Sequence, residues 1–326
     1  MLNIGIIGAG RIGKVHLQSI CYYVKNAEVK AVADPFMNAE MEAFIRGMGV
    51  KAVYTDYKKI LEDKNIDAVL ICSSTDTHAP ISIEAIKSGK HVFCEKPVDQ
   101  SISKIMEVKA ALKGTGLKYQ VGFNRRFDHN FAAVQAAVAA GKIGDPHIVK
   151  ISSRDPAPPP ISYVKVSGGL FLDMAIHDFD MARFLTGSEV EEVFVASAVL
   201  VDPAIGEEGD VDTAVITMKM ANGALCVIDN SRQAVYGYDQ RAEVFGSKGV
   251  VMSGNDTLST AVVTDINGST AEKPLYFFLE RYMQSYANEV AAFVDVVVND
   301  KPTPVTIEDG LQSVVIAVAA LKSAKE

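Results

Sequence analysis

The stretch GGLFLDMAIHDFDMARFL, residues 168–185, sets Asp173, His177, Asp178 and Asp180 among apolar side chains. Read as one regular helix, it places Asp173, His177 and Asp180 at i, i+4 and i+7, on a single face. Leu172, Met174, Ala175, Ile176, Phe179, Met181 and Ala182 fill the other directions, so the helix reads as buried nearly all round. Carboxylates in such surroundings are expensive unless they are paired or used. A histidine with an acid one turn away has a use. Imidazole titrates near neutral pH and can take the proton of a hydroxyl group, while the acid orients the ring and stabilises imidazolium. The plainer alternative is a polar pair that ties the helix to a neighbour. Asp178 and Asp180 read as structural partners for Arg183 or the backbone. A metal centre is not expected, because no second histidine stands at ligand spacing.

A base of this kind suits oxidation of an alcohol, which also needs a hydride acceptor and a group to steady the reacting oxygen. Both are legible upstream. LNIGIIGAGRIGKVHLQSI runs from an apolar strand through a glycine turn into a helix, with Gly8, Gly10 and Gly13 in the spacing G-x-G-x-x-G. Such a turn brings backbone close to a pyrophosphate and aims a helix N-terminus at it, with Arg11 and Ile12 at the mouth. A second strand ends at Asp34, the position of an acid that binds ribose hydroxyls and repels a 2′-phosphate. Pro35, Phe36 and Met37 offer no cation to receive that phosphate, so the expected cofactor is NAD. Lys96, closing the strand-like run KHVFCEKP, can polarise the reacting oxygen and hold alkoxide charge.

The elements around these residues alternate. IDAVLICSS, KHVFCEKP and KYQVGFN read as strands, and HAPISIEAIKSG and ISKIMEVKAALKGTG as helices, which predicts a doubly wound parallel sheet. Ligands of such sheets gather beyond the carboxyl ends of the strands. Asp34, Ser73, Ser74, Thr75, Glu95, Lys96, Asn124 and Arg126 all follow those ends. Thr75 and His78 either contact the cofactor or cap a helix. After Gly144 the pattern becomes short strands with Asn222-Gly223 and Asn267-Gly268 turns, which predicts a large, mostly antiparallel open sheet with helices on one face. The expected division is a Rossmann domain over 1–122 and a substrate-binding and oligomerisation domain over 123–326, the last helix able to return to the first domain. The other face of the open sheet needs cover, and another subunit would supply it.

Bulk properties agree. The 326 residues carry a net charge of −8 and are 48% hydrophobic and 22% charged, which argues against a nucleic-acid or anionic-membrane partner. No apolar run has membrane-spanning length. The N-terminus lacks the basic and small-residue features of a secretory signal, and Cys21, Cys72, Cys94 and Cys226 have neither metal-site nor disulfide-framework spacing; a cytoplasmic protein is expected.

GAGRIG, Asp34, CEKP and GGLFLDMAIHDFDMARF together resemble the Gfo/Idh/MocA oxidoreductases. GFNRRFD (122–128), SRDPAPPP (153–160), YGYDQR (236–241) and FFLERY (277–282) extend the likeness toward the inositol-oxidising members, over nearly the whole chain. The resemblance implies an N-terminal Rossmann domain and a C-terminal α/β domain that assembles dimers or tetramers through its sheet. It implies Lys96, Asp173 and His177 as the catalytic set, with a cis Lys96–Pro97 bond. Its expected reaction is oxidation of myo-inositol to the 2-keto inositol. Another inositol isomer, a pyranose sugar, or an NAD-binding sugar sensor without turnover are the alternatives. Arg126, Asp155, Tyr236, Tyr238 and Asp239, with Asn124, are candidate polyol contacts.

Overall fold

A computed structural model describes all 326 residues, which form two compact units: Met1–Phe127 with Met283–Val314, and Asp128–Tyr282 with Val315–Glu326.

The first unit is built on β1 (Leu2–Ile7), α1 (Arg11–Tyr23), β2 (Ala27–Ala33), α2 (Ala39–Gly47), β3 (Ala52–Tyr54), α3 (Lys58–Glu62), β4 (Ala68–Ile71), α4 (Thr75–Lys87), β5 (His91–Glu95), α5 (Ile102–Leu112) and β6 (Tyr119–Gly122). All its strands are parallel, in the order β3-β2-β1-β4-β5-β6. The expected doubly wound sheet is therefore present. The central strands are apolar runs such as AVLI because helices cover both faces of a parallel sheet. Ile4, Ile6, Leu70 and Phe93 are fully buried in a core completed by Val290, Phe293 and Val294, residues from late in the sequence.

The second unit contains α6 (His129–Ala139), β7 (Pro146–Arg154), α7 (Ile161–Ser167), α8 (Ile176–Thr186), β8 (Val190–Ala198), α9 (Pro203–Glu207), β9 (Thr213–Met220), β10 (Leu225–Ser231), β11 (Asp239–Gly246), β12 (Gly249–Ser253), β13 (Val262–Asp265), β14 (Gly268–Ala271) and α10 (Phe278–Arg281). The later helices are α11 (Met283–Val298), in the first unit, and α12 (Ile307–Lys325). Six strands form an open sheet in the order β12-β11-β7-β10-β9-β8, antiparallel except for the β7–β10 pair. Period-two alternation is clearest in β9, where Ala214, Ile216, Met218 and Met220 are buried and Val215, Thr217 and Lys219 exposed. The buried side carries α6 and α8. Phe194, Val215, Leu225, Ile148, Phe245, Val250 and Met252 are exposed on the other side.

One expectation fails here. Residues 168–185 are not a single regular helix. Gly168 and Gly169 both take positive φ, Leu170–Met174 forms a π-helical turn, and regular α8 begins only at Ile176. A side chain at Gly169 would stand 2.6 Å from Asp210 Oδ1, whose carboxylate accepts the Leu170 N–H. That acid caps the opening of the turn. The wider turn removes the simple i, i+4, i+7 stripe, so Asp173 lies on the π turn while His177 and Asp180 lie on α8. Asp180 is buried and His177 half-buried.

Candidate functional site

In the first unit, β1 and β2 are parallel and end in register at Ile7 and Ala33, so the residues that follow them emerge side by side. Asp34 uses this proximity: one carboxylate oxygen accepts the Ala9 N–H at 2.7 Å and the other the Phe36 N–H at 2.8 Å. The acid expected to bind ribose is thus fixed against the glycine turn. The three glycines differ in what requires them. A Cβ at Gly8, whose φ is +98°, would meet Ser73 N at 2.5 Å, and one at Gly13 would meet the Gly8 carbonyl oxygen at 2.0 Å. A Cβ at Gly10 would meet no protein atom within 4 Å. Gly8 and Gly13 therefore serve strand and helix packing, and Gly10 keeps an exposed approach at the N-terminus of α1, where backbone can meet a pyrophosphate. Arg11 and Ile12 open that helix. These residues fit a dinucleotide with an unphosphorylated ribose.

Ser73, Ser74 and Thr75 follow β4 at the start of α4; Ser73 Oγ lies 2.6 Å from Thr77 Oγ1. Lys96 follows β5, half-buried, and its bond to Pro97 is cis. Two residues expected to line the cofactor crevice, His78 and Glu95, have protein partners for their side chains. The His78 ring is buried, with Nδ1 2.7 Å from the Pro97 carbonyl and Nε2 3.0 Å from the Ser73 carbonyl. Glu95 Oε1 lies 2.6 Å from Nε2 of the fully buried His16. Glu289 of α11 completes this buried group. Burial, and then the Glu95 charge, hold its carboxyl well above the ordinary range. Of the two residues next to β6, Asn124 is buried, and Arg126 pairs with Asp309 at 2.9 Å and reaches the Pro304 carbonyl. The ion pair with α12 had no signal in local spacing.

In the second unit, parallel β7 and β10 are in register to their last residues, Arg154 and Ser231, so Asp155 and Arg232 leave the sheet together. Arg232 Nη1 donates to Asp155 Oδ2 at 3.3 Å and Nη2 to Asp173 Oδ2 at 3.1 Å. Tyr163 donates its hydroxyl to the other Asp173 oxygen at 2.9 Å. Burial works against the Arg232 charge, but Asp173, Asp155 and Asp210 outweigh it and raise the guanidinium pKa above its usual value. Asp155 and Asp173, 18 residues apart in the chain, are therefore brought together. Arg232 and Tyr163 were not singled out from sequence. The β7–β10 register, a long-range property, puts Arg232 there, and Tyr163 arrives on α7.

Tyr236 belongs to a different network: it donates to Asp239 at 2.6 Å and accepts from Arg154 at 2.9 Å. Burial opposes the Asp239 charge, and bonds from Arg241, Tyr236 and Asn255 hold the acid down at about 2. Asp178 accepts from Asn230 at 2.9 Å, tying α8 to β10, and Arg183 forms a two-pronged pair with Glu189. His177 stands on the first turn of α8, next to Asp178.

The pattern of a glycine turn with its acid, a lysine after β5, and an acid–histidine segment opening a helix has a family behind it. Residues 2–123 match the oxidoreductase family with an NAD-binding Rossmann fold, and residues 131–252 match the GFO/IDH/MocA C-terminal domain. The chain belongs to the GFO/IDH/MocA oxidoreductases. It is 48% identical to myo-inositol 2-dehydrogenase of Thermotoga maritima, across 100% of this chain and 97% of that protein. It is 43% identical to inositol 2-dehydrogenase of Rhizobium meliloti, across 100% and 97% respectively. Among solved structures, a myo-inositol dehydrogenase from Lactobacillus casei in complex with NAD(H) and myo-inositol superposes with a TM-score of 0.89 at 26% identity, covering 100% of this chain and 95% of that one. As in the rest of the family, the cofactor domain is an NAD-binding Rossmann fold. No helix is long and apolar enough to cross a membrane.

Proposed function

We propose that this protein is an NAD-dependent inositol 2-dehydrogenase, oxidising myo-inositol to the 2-keto inositol with hydride transfer to NAD. The observation that carries this reading is the likeness to inositol-oxidising proteins over the full length of the chain. Cofactor binding is assigned to residues 1–122, through Gly8, Gly10, Arg11, Ile12, Gly13, Asp34, Ser73, Ser74 and Thr75. Polyol binding and assembly are assigned to 123–326. NAD supplies the hydride acceptor. His177 takes the hydroxyl proton, Lys96 steadies the oxygen as charge develops, and Asp173 accepts from a substrate hydroxyl or from the ring. Asp155 offers a second carboxylate to the polyol, with Arg232 fixing both acids. Retention of Lys96, Asp173 and His177 favours an enzyme over a sugar sensor, which needs no base.

The test is a panel of myo-, scyllo- and chiro-inositol, hexoses and myo-inositol 1-phosphate, assayed for NADH formation. Myo-inositol is expected to give the highest kcat/KM and the phosphate ester no measurable turnover. A hexose preferred over every inositol would sink the assignment.

The same reading makes the protein a homo-oligomer, a tetramer or a dimer, formed through the open sheet. Seven exposed apolar side chains on that sheet, from Phe194 to Met252, support this, since such a face is normally covered. Light scattering at micromolar concentration is expected to exclude a monomer of 35.0 kDa. A cytoplasmic setting, where NAD is available and thiols stay reduced, suits the four free cysteines.

A further inference from the structure

His78 lies on the first turns of α4 and is 2% exposed. Its two ring nitrogens face two backbone carbonyl oxygens, Pro97 O at 2.7 Å and Ser73 O at 3.0 Å. A carbonyl oxygen can only accept. A neutral imidazole has one N–H and one lone pair, so in that form one nitrogen would oppose an oxygen with no proton between them. Only imidazolium satisfies both contacts. The carbonyls belong to the two turns that matter in this unit: Ser73 follows β4 in the cofactor-facing loop, and Pro97 directly follows Lys96.

We propose that His78 is a positioning residue, held as an imidazolium, whose two N–H groups clamp the Ser73 and Pro97 carbonyls and so fix the direction of Lys96. The inference rests on the reading of Lys96 as the group that steadies the reacting oxygen.

The surroundings suit a clamp. From β5, Cys94 presents its thiol to the ring. From β6, Tyr119 meets Ser82, one turn along α4 from His78, with the two hydroxyl oxygens 3.0 Å apart. Burial keeps the Tyr119 phenol well above its ordinary range, so it is neutral. α5, packed on α4, buries Ile105 and Val108. The charged residues on the Pro97 turn are Lys96 and the buried Asp99, which accepts the Ser101 N–H and pairs with Lys104. Burial alone disfavours a charged ring, but Cys94 and the two carbonyls outweigh it and push the His78 pKa up to about 9. A fixed cation with two N–H groups is a stiffer joint than water or a hydroxyl, because both carbonyl directions are set by one planar ring.

The first measurement needs no activity. Nitrogen NMR on the isotopically labelled full chain, without cofactor, is expected to show at pH 7.5 one imidazole with both nitrogens protonated. That signal should be absent from His78→Gln. A neutral His78 ring at pH 7.5 overturns the proposal. The second needs no variant: kcat for inositol oxidation should fall as pH rises through the His78 pKa found by NMR, and a kcat that ignores this transition overturns the positioning role. The third uses His78→Gln, Lys96→Met and the double variant. His78→Gln is expected to lower kcat by about 10- to 100-fold, the cost of slight misplacement of a reacting group. It should leave the Kd for NADH within a few-fold and add no further loss in the Lys96→Met background. Multiplicative losses refute the clamp alone. Near-normal turnover by Lys96→Met itself refutes the reading of Lys96 as well.

Discussion

Replacing Arg232 by Met tests the second unit's polar cluster most directly. Arg232 is 4% exposed at its side chain, and the two carboxylates it holds, Asp155 and Asp173, are 14% and 13% exposed. Met keeps most of the stem's volume and removes the five N–H donors, so the change isolates charge and hydrogen bonding from packing. Removing one partner of a buried ion pair costs about 3–5 kcal/mol, because the charges left behind have been taken out of water without compensation. Here two like charges remain, with Asp210 nearby, which puts the expectation at the upper part of that range. At roughly 2–4 °C per kcal/mol for a unit of this size, the melting transition at pH 8 should fall by about 8–20 °C. The deficit should shrink in acid, where the carboxylates protonate and no longer repel.

Catalysis should suffer separately. Asp173 keeps its bond from Tyr163 but loses the one from Arg232. The bond that orients its Oδ2 is lost, and kcat/KM for myo-inositol should drop by about 100-fold. NADH binding should be unaffected, since Asp34 and the glycine turn belong to the first unit. Asp155→Asn in the Arg232→Met background removes one of the repelling charges and should recover part of the lost stability. Calorimetry at pH 8 and pH 5 with steady-state kinetics covers all of these outcomes. A melting temperature at pH 8 within 1 °C of the wild type would refute the reasoning, because it would mean that the two acids need no cation.

Asp34→Ala should narrow a large kcat/KM preference for NAD over NADP, since it removes the charge that repels a 2′-phosphate; equal use of both cofactors by the unmodified protein would sink the cofactor argument. His177→Ala should lower the rate of the chemical step by about two to four powers of ten and erase the neutral-pH limb of the kcat/KM profile, with NADH affinity retained. An unchanged profile in that variant would make the Asp–His segment structural.

Much of this was legible in the sequence because it is local. The glycine turn, Asp34 after β2 and the alternation of strands and helices depend on neighbours in the chain, and the parallel sheet formed as periodicity predicted. The large sheet, with one antiparallel majority and an open face, was legible from alternation for the same reason. What failed was geometry that local pattern does not encode. The Asp173–His177–Asp180 stripe assumed a regular helix, but two positive-φ glycines and the Asp210 cap impose a π turn first. Local spacing gives no sign of an acid 40 residues away. Arg232 escaped notice because its role comes from the register of β7 against β10. His78 and Glu95 were placed correctly at the sheet's carboxyl edge, yet their polar atoms turn to Pro97, Ser73 and His16. Position along a strand says which edge a residue reaches, not which way its side chain faces.

The charge balance at Arg232 also bears on what the second unit can recognise. Asp155 and Asp173 share one guanidinium, and Asp210 contributes a third carboxylate to its field. Three carboxylates thus stand in the field of one guanidinium. Hydroxyl groups suit such a cluster, since each can donate to a carboxylate oxygen without bringing charge, and a ring polyol offers several at fixed spacing. An anionic analogue meets the opposite situation. A unit negative charge 4 Å from a carboxylate is repelled by about 4 kcal/mol at the effective dielectric of a protein surface, close to a 1000-fold loss in binding for one such contact. A phosphate ester carries nearly two such charges. Rejection of myo-inositol 1-phosphate is then expected from the same acids that are proposed to hold myo-inositol, with no steric barrier required. Neutralising Asp155 as Asn should weaken this discrimination more than it weakens binding of the neutral polyol.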